Sequence, residues 1–196
     1  MNRLALDDAA VIEASRAEPD RFALLFDRHA PYIHRYLARR VGRQAADDLV
    51  AETFLVAFRK RARYDPRHHD ARPWLYGIAT NLIAQHRREE ARQFRLRQAG
   101  GPDSVQHDHA ERAALDVTAQ SIRAPLADAL ARLARPDRDV LLLIAWEQLS
   151  YDEVARALNI PVGTVRSRLH RARTKIRESL AGTPAAVTYE EILTNE

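Results

Sequence analysis

The sequence predicts an all-α protein built as two small helical domains joined by a flexible linker. Three observations point there. Glycine is scarce, at 6 of 196 residues, so the backbone has few natural breaks. Alanine, leucine and arginine, all strong helix formers, dominate the composition. Segments that alternate β-branched and polar residues, the mark of a half-buried strand, are almost absent. With 46% apolar and 30% charged residues, the chain has the means to bury a core.

A short helix is expected at residues 8–16, packed in front of a three-helix bundle. In the first bundle helix Phe22, Leu25, Phe26, His29, Ile33, Tyr36 and Leu37 recur at helical spacing, Gly42 closes the element and Pro31 is a candidate kink. The second starts near Ala45 and ends near Arg61, with Leu49, Phe54, Ala57 and Phe58 facing inward. Residues 64–72, rich in Asp, Pro and His, form a loop. Pro73 suits the first turn of a third helix, in which Leu75, Ile78, Ala79, Leu82 and Ile83 keep the 3.6-residue rhythm as far as Arg88. From residue 89 the periodicity fades, and Gly100, Gly101, Pro102, Asp103, Ser104 and the run from His107 to His109 mark a linker. Order resumes with Leu126, Leu130 and Leu133, then after Pro136 with Val140, Leu141, Leu143, Ile144 and Trp146. The division that follows is a first domain at residues 1–90, a linker at 91–124, a second domain at 125–181 and a loose tail at 182–196.

The formal net charge is only +4, yet the pI is near 9.7 and arginine far outnumbers lysine, a balance that suits a polyanionic partner. Cations cluster at Arg59, Lys60, Arg61, Arg63, Arg67 and Arg72, at Arg87, Arg88, Arg92, Arg95 and Arg97, and at six positions from Arg166 to Arg177; acids gather at Asp47, Asp48 and Glu52. Any one such run is by itself an ordinary solvated helix face. Cysteine is absent, which excludes disulfides, cysteine catalysis, iron–sulfur clusters and thiolate zinc sites. No metal or other cofactor is expected. Asp65, His68, His69 and Asp70, like His107, Asp108 and His109, are loop neighbours without the i, i+4 helical spacing that aims two ligands at one ion. No secretory signal is expected at residues 1–19, and no apolar run approaches the ~20 residues of a membrane span, so membrane insertion is not expected and a cytoplasmic location fits.

Ser150 followed three residues later by Glu153 is a capping-box pattern that opens a short helix from Tyr151 to Leu158. Asn159 tolerates the left-handed conformation that ends a helix, and Pro161 opens the next. The pair is a helix-turn-helix. In its second helix Val165, Leu169, Ala172, Ile176 and Leu180 form one buried stripe, and the opposite direction carries Arg166, Ser167, His170, Arg171 and Thr174, flanked by Arg168, Arg173 and Lys175. Such a face supplies cations for phosphates and forked donors for base edges in a major groove.

Three blocks now stand together: Asp47-Asp48-Leu49-Val50-Ala51-Glu52-Thr53-Phe54, then Trp74-Leu75-Tyr76-Gly77-Ile78-Ala79-Thr80-Asn81, and Pro161-Val162-Gly163-Thr164-Val165-Arg166-Ser167-Arg168-Leu169. In this order and spacing the chain resembles the bacterial extracytoplasmic-function (ECF) sigma factors of the sigma-70 family, over residues 9–88 and 126–180. The resemblance implies a region-2 and a region-4 domain on a flexible connector. It implies a promoter-specificity subunit that binds core RNA polymerase and directs promoter recognition, melting and initiation, with the catalytic chemistry left to the core. It implies that the helix bearing Asp48, Leu49, Glu52, Thr53 and Leu55 docks on the clamp helices of the largest core subunit, with Ala51 where the family often has Gln. The flap of the second-largest subunit is a further implied partner.

The same resemblance assigns the minus-ten element to loop 64–72 and the helix after it. Asn81 would lie near a flipped non-template base, His68, His69, Asp70 and Trp74 would shape the pocket, and Arg72, Arg87 and Arg88 would hold the backbone. For Trp74 the residue itself argues first for a core anchor. Unstacking bases costs a few kcal/mol each, which a protein without ATP hydrolysis recovers by holding the exposed strand. At the minus-thirty-five element the resemblance places Arg166, Ser167, Arg168, His170, Arg171 and Arg173; guanine edges and phosphates are both open to the arginines. Relatives are often held inactive by an anti-sigma factor wedged between the domains, which adds such an inhibitor to the candidate partners. The competing reading is a helix-turn-helix repressor or activator that acts without polymerase. A plain regulator has no reason to carry the block from Asp47 to Asn81.

Overall fold

The computed structural model describes residues 6–99 and 117–181. Among them run α1 (Asp8–Ala17), α2 (Ala23–Val41), α3 (Arg43–Lys60), α4 (Arg72–Ala99), α5 (Val117–Arg132), α6 (Arg135–Ala145), α7 (Tyr151–Leu158) and α8 (Val162–Leu180). Short 3-10 turns at Pro19–Phe22 and Arg61–Arg63 precede α2 and follow α3, and the described residues include no strand. The all-α expectation therefore holds. His107 to His109 and the tail after Gly182 lie outside the described residues.

Local chemistry sets the element ends. The Asp7 carboxylate accepts the Ala10 N–H at 2.7 Å and so caps α1. Gly42, at φ 84°, takes a conformation that side chains rarely adopt and turns the chain from α2 into α3. The amino-terminal core is built from Leu25, Ile33, Tyr36 and Leu37 of α2, Ala46, Val50, Phe54 and Ala57 of α3, and Leu75, Ile78, Ala79 and Ile83 of α4. Phe26, expected inside, is 43% exposed and lies edge-on against Phe54, because Leu25 beside it takes the inward direction.

α4 runs past Arg88 to Ala99, and α5 begins at Val117, so helix occupies both ends of the expected 91–124 linker. Beyond Arg88 every α4 residue with a described side chain is exposed, which is why no apolar rhythm marks this stretch. Its Glu, Ala, Arg, Gln and Leu are strong helix formers, supported by Arg92–Glu89 and Gln93–Glu89 contacts at 3.8 and 3.3 Å.

In this structure the two halves also pack against each other. Buried residues from Ala9 to Leu180 form one continuous cluster. At the junction a Cβ on Gly77 of α4 would lie 2.2 Å from the Ala157 carbonyl oxygen of α7, so glycine is required for this approach. Around it Arg40 Nη2 donates to Asp139 Oδ1 at 2.5 Å, the Tyr76 hydroxyl donates to Glu147, and Arg39 stacks 5.2 Å over the Trp146 ring. Tyr36 hydroxyl, bonded at 2.9 Å to both Arg40 and Thr80, is pushed up to about 12 by burial. The partners come from distant parts of the chain, beyond the reach of helix-by-helix pattern reading.

Candidate nucleic-acid interface

Ser150 Oγ accepts the Glu153 backbone N–H at 3.3 Å and Glu153 Oε2 accepts the Ser150 N–H at 2.8 Å, so α7 starts on a complete capping box. It ends at Asn159, left-handed at φ 51°, where the Ile160 N–H closes on the Ala155 carbonyl at 3.0 Å. Pro161 then leads into α8. Val165, Leu169, Ala172, Ile176 and Leu180 are all buried, as the stripe predicted. Burying that side turns Arg166, Ser167, His170, Arg171, Lys175 and Arg177 to solvent; Arg168, Arg173 and Thr174 are half-buried.

Arg171 is already engaged. Its Nη2 and Nε donate to Asp137 Oδ1 and Oδ2 at 2.8 and 3.2 Å, and Asp137 is buried in the first turn of α6. The hydrogen bonds to that carboxylate raise the guanidinium's pKa further. The residue ties α8 to α6, while 57% of its side chain still faces water. Ser167 Oγ donates to the Thr164 carbonyl at 3.1 Å.

Loop 64–71 brings the second group of candidates to the start of α4. The Tyr64 hydroxyl donates toward the His68 and Asp70 carbonyls at 2.6 and 3.2 Å; burial, then Asp8 and Asp70, push its pKa up and keep it a donor. Arg67 pairs with Asp65 at 2.6 Å, and its hydrogen bonds hold that carboxyl down at about 2. Arg72 pairs with Asp70 at 2.9 Å, His69 Nδ1 meets Asp7 at 2.6 Å, and His68 lies 4.0 Å from Asp65. The Trp74 ring, half-buried, sits 4.9 Å from that of Tyr64 and anchors the loop. Arg87 donates to the Arg40 carbonyl at 2.8 Å. Asn81 and Arg88 are exposed on α4.

On α3, Asp48, Glu52 and Leu55 are exposed and share one side, with Leu49 half-buried beneath them. Thr53 is different. It is fully buried, its hydroxyl donating to the Leu49 carbonyl at 2.6 Å, because its spacing from Ala46, Val50 and Ala57 puts it on the core stripe. Among the described residues, no group of three or more His, Asp or Glu is arranged to hold a metal ion, and no helix is long and apolar enough to cross a membrane.

Besides Asp139 and Glu147 at the junction, two carboxylates beside the candidate surfaces escaped the sequence reading. Asp137 is one. Asp8 is the other: it accepts from Arg28 at 3.0 Å, His29 at 2.7 Å and the Ala71 backbone N–H at 3.0 Å. Burial pushes its carboxyl up, but those bonds outweigh burial and hold it at about 2. Both sit in first turns of helices, an ordinary place for an acid, so their partners were the missing signal.

Comparison with known proteins places these features in a family. The model for sigma-70 region 2 matches residues 25–93 and that for sigma-70 region 4 matches residues 123–176. The ECF RNA polymerase sigma factor SigL of Mycobacterium tuberculosis is 35% identical over 178 residues, 88% of this chain and 96% of SigL. The ECF RNA polymerase sigma factor BldN of Streptomyces coelicolor is 33% identical over 172 residues; the match spans 85% of this chain but only 64% of BldN. A similar fold, at TM-score 0.59 and 23% identity, occurs in the sigma factor RpoE of Bartonella quintana solved with the anti-sigma factor NepR, over 82% of this chain and 97% of that one.

Proposed function

The chain belongs to the extracytoplasmic-function sigma factors of the sigma-70 family, and on that premise we propose that it binds core RNA polymerase and directs promoter recognition, DNA melting and transcription initiation. It supplies specificity and no catalytic group, and it acts in the cytoplasm, at the nucleoid when in holoenzyme. The exposed side of α3, with Asp48, Glu52 and Leu55, docks on the clamp helices of the largest core subunit, where acids complement a basic partner. The carboxy-terminal half meets the flap of the second-largest subunit.

Loop 64–71 and α4 hold the melted non-template strand, with Asn81 and Arg88 ready to contact it and His68, His69, Asp70 and Arg72 held in position by the ion pairs around them. On duplex DNA upstream, Arg166, Ser167 and His170 face the major groove and Arg168 and Arg173 the phosphates; Arg171 divides its guanidinium between DNA and Asp137. Because α7 covers α4 at Gly77, the halves part when they engage two separated promoter elements. An anti-sigma factor, the kind of protein bound to Bartonella RpoE, is the proposed inhibitor.

The observation that carries this reading is α8, buried along one stripe and cationic on the other side without an acid from Arg166 to Lys175. A helix-turn-helix regulator independent of polymerase is not favoured, since the region 2 match spans residues 25–93. The test is run-off transcription with purified core polymerase on promoters selected from a randomised library. Specific initiation is expected; absence of initiation by folded protein with every core preparation would reject the assignment.

A further inference from the structure

The region 2 match begins at residue 25 and leaves α1 outside it, yet α1 is what holds loop 64–71. The loop has little core of its own. Tyr64 and Ala71 are buried at its ends, Pro66, Arg67 and His69 are exposed, and Asp65, His68 and Asp70 are half-buried. A segment with so few apolar anchors takes its shape from hydrogen bonds. From α1 and its cap, the Asp8 N–H donates to the His69 carbonyl at 3.2 Å, Asp8 Oδ2 accepts the Ala71 N–H at 3.0 Å and Asp7 Oδ2 takes His69 Nδ1 at 2.6 Å. Arg16 Nη2 adds a longer bond to the Tyr64 carbonyl at 3.4 Å. Asp8 is itself gripped by Arg28 and His29 of α2, and only 10% of its side chain is exposed. It is the point where α1, α2 and the loop meet.

We propose that α1 is a brace that fixes loop 64–71 in its strand-reading shape, with Asp8 as the positioning residue that locks brace to loop. Asp8 touches no nucleic acid. It acts by ordering the backbone that carries His68, His69 and Asp70, so that this order is not lost from the free energy of strand binding. The inference rests on the strand-reading role proposed above for the loop.

The test compares wild-type, Asp8→Asn and Asp7→Ala full-length proteins in holoenzyme. The probe is a single-stranded non-template minus-ten oligonucleotide, its sequence taken from promoters that the wild-type holoenzyme selects, against a shuffled version. Removing the brace should speed amide exchange at residues 67–71 and lower the cognate-to-shuffled affinity ratio by about ten-fold, with core affinity and upstream duplex binding within about two-fold. Faster exchange with an unchanged ratio would overturn the brace as a selectivity device. Unchanged exchange would overturn the contact itself. His68→Ala separates this from the underlying reading: if it leaves the ratio untouched, the loop does not read the strand and the proposal falls with it. Should Asp8→Asn fail to fold, Asp7→Ala, at an exposed position, decides the same comparison.

Discussion

Replacing Gly77 with alanine tests whether the approach of α4 to α7 holds the two halves together. The new Cβ would lie 2.2 Å from the Ala157 carbonyl oxygen and 3.0 Å from its carbon, and backbone atoms cannot rotate aside. Ordinary contact begins at 3.4 Å, so the helices must part by about 1 Å. Overpacking of this kind costs about 1–3 kcal/mol. Inside α4 the same change is favourable by about 0.5–1 kcal/mol, because glycine gives up more backbone freedom in a helix than alanine. The two effects act on different equilibria: α4 is strengthened while the closed packing is weakened, together with the neighbouring Tyr76–Glu147 bond. A shift of about 2 kcal/mol moves the closed-to-open ratio about thirty-fold. Because the chain has no native cysteine, dyes on cysteines introduced at exposed Arg43 and Ser179 report the separation by energy transfer. Lower transfer and a larger radius of gyration at unchanged helical content are expected. Identical transfer and scattering for variant and wild type would refute the claim that this contact keeps the halves closed.

Arg171→Ala should weaken upstream duplex binding and also lower the melting temperature, since it leaves the buried Asp137 carboxylate unpaired. Arg166→Ala should weaken DNA binding without a stability change; equal melting curves for the two variants would dismiss the Asp137 tie. The double change Asp48→Ala and Glu52→Ala should reduce core polymerase affinity with duplex binding intact, whereas Thr53→Val, inside the core, should leave core affinity as it is; pull-down titrations distinguish them. Asp8 has a folded pKa near 2, below its ordinary 3.8, so its contribution to stability is complete above 3.8 and lost as the pH falls through 2. Melting temperatures between pH 5 and 2 should therefore fall less steeply for Asp8→Asn than for wild type, and parallel curves would contradict the assignment.

The helix-turn-helix was legible almost residue by residue. Ser150, Glu153, Asn159 and Pro161 signal its boundaries through groups one turn apart, and the stripe from Val165 to Leu180 is the one the fold buries. Legibility failed in two ways elsewhere. Past Arg88, α4 is exposed all round, so helix persists where no apolar periodicity exists to announce it. Phe26 turns outward because Leu25 beside it takes the inward direction, and Thr53, named with the docking face, shares the core stripe of Ala46, Val50 and Ala57; one position of rotation decides between core and surface.

By itself the sequence determined the all-α class, the caps, the cationic face of α8 and the family, because each rests on residues within a few positions of one another or on motifs read in order. Tertiary structure alone decided which charges are committed. Arg171 is bound to Asp137 across 34 residues, Ala71 to Asp8 across 63 and Arg40 to Asp139 across 99. A charge is indifferent to sequence distance. Its state depends on which opposite charge folding brings within hydrogen-bond reach and on how much water is excluded there, and neither is written in local pattern.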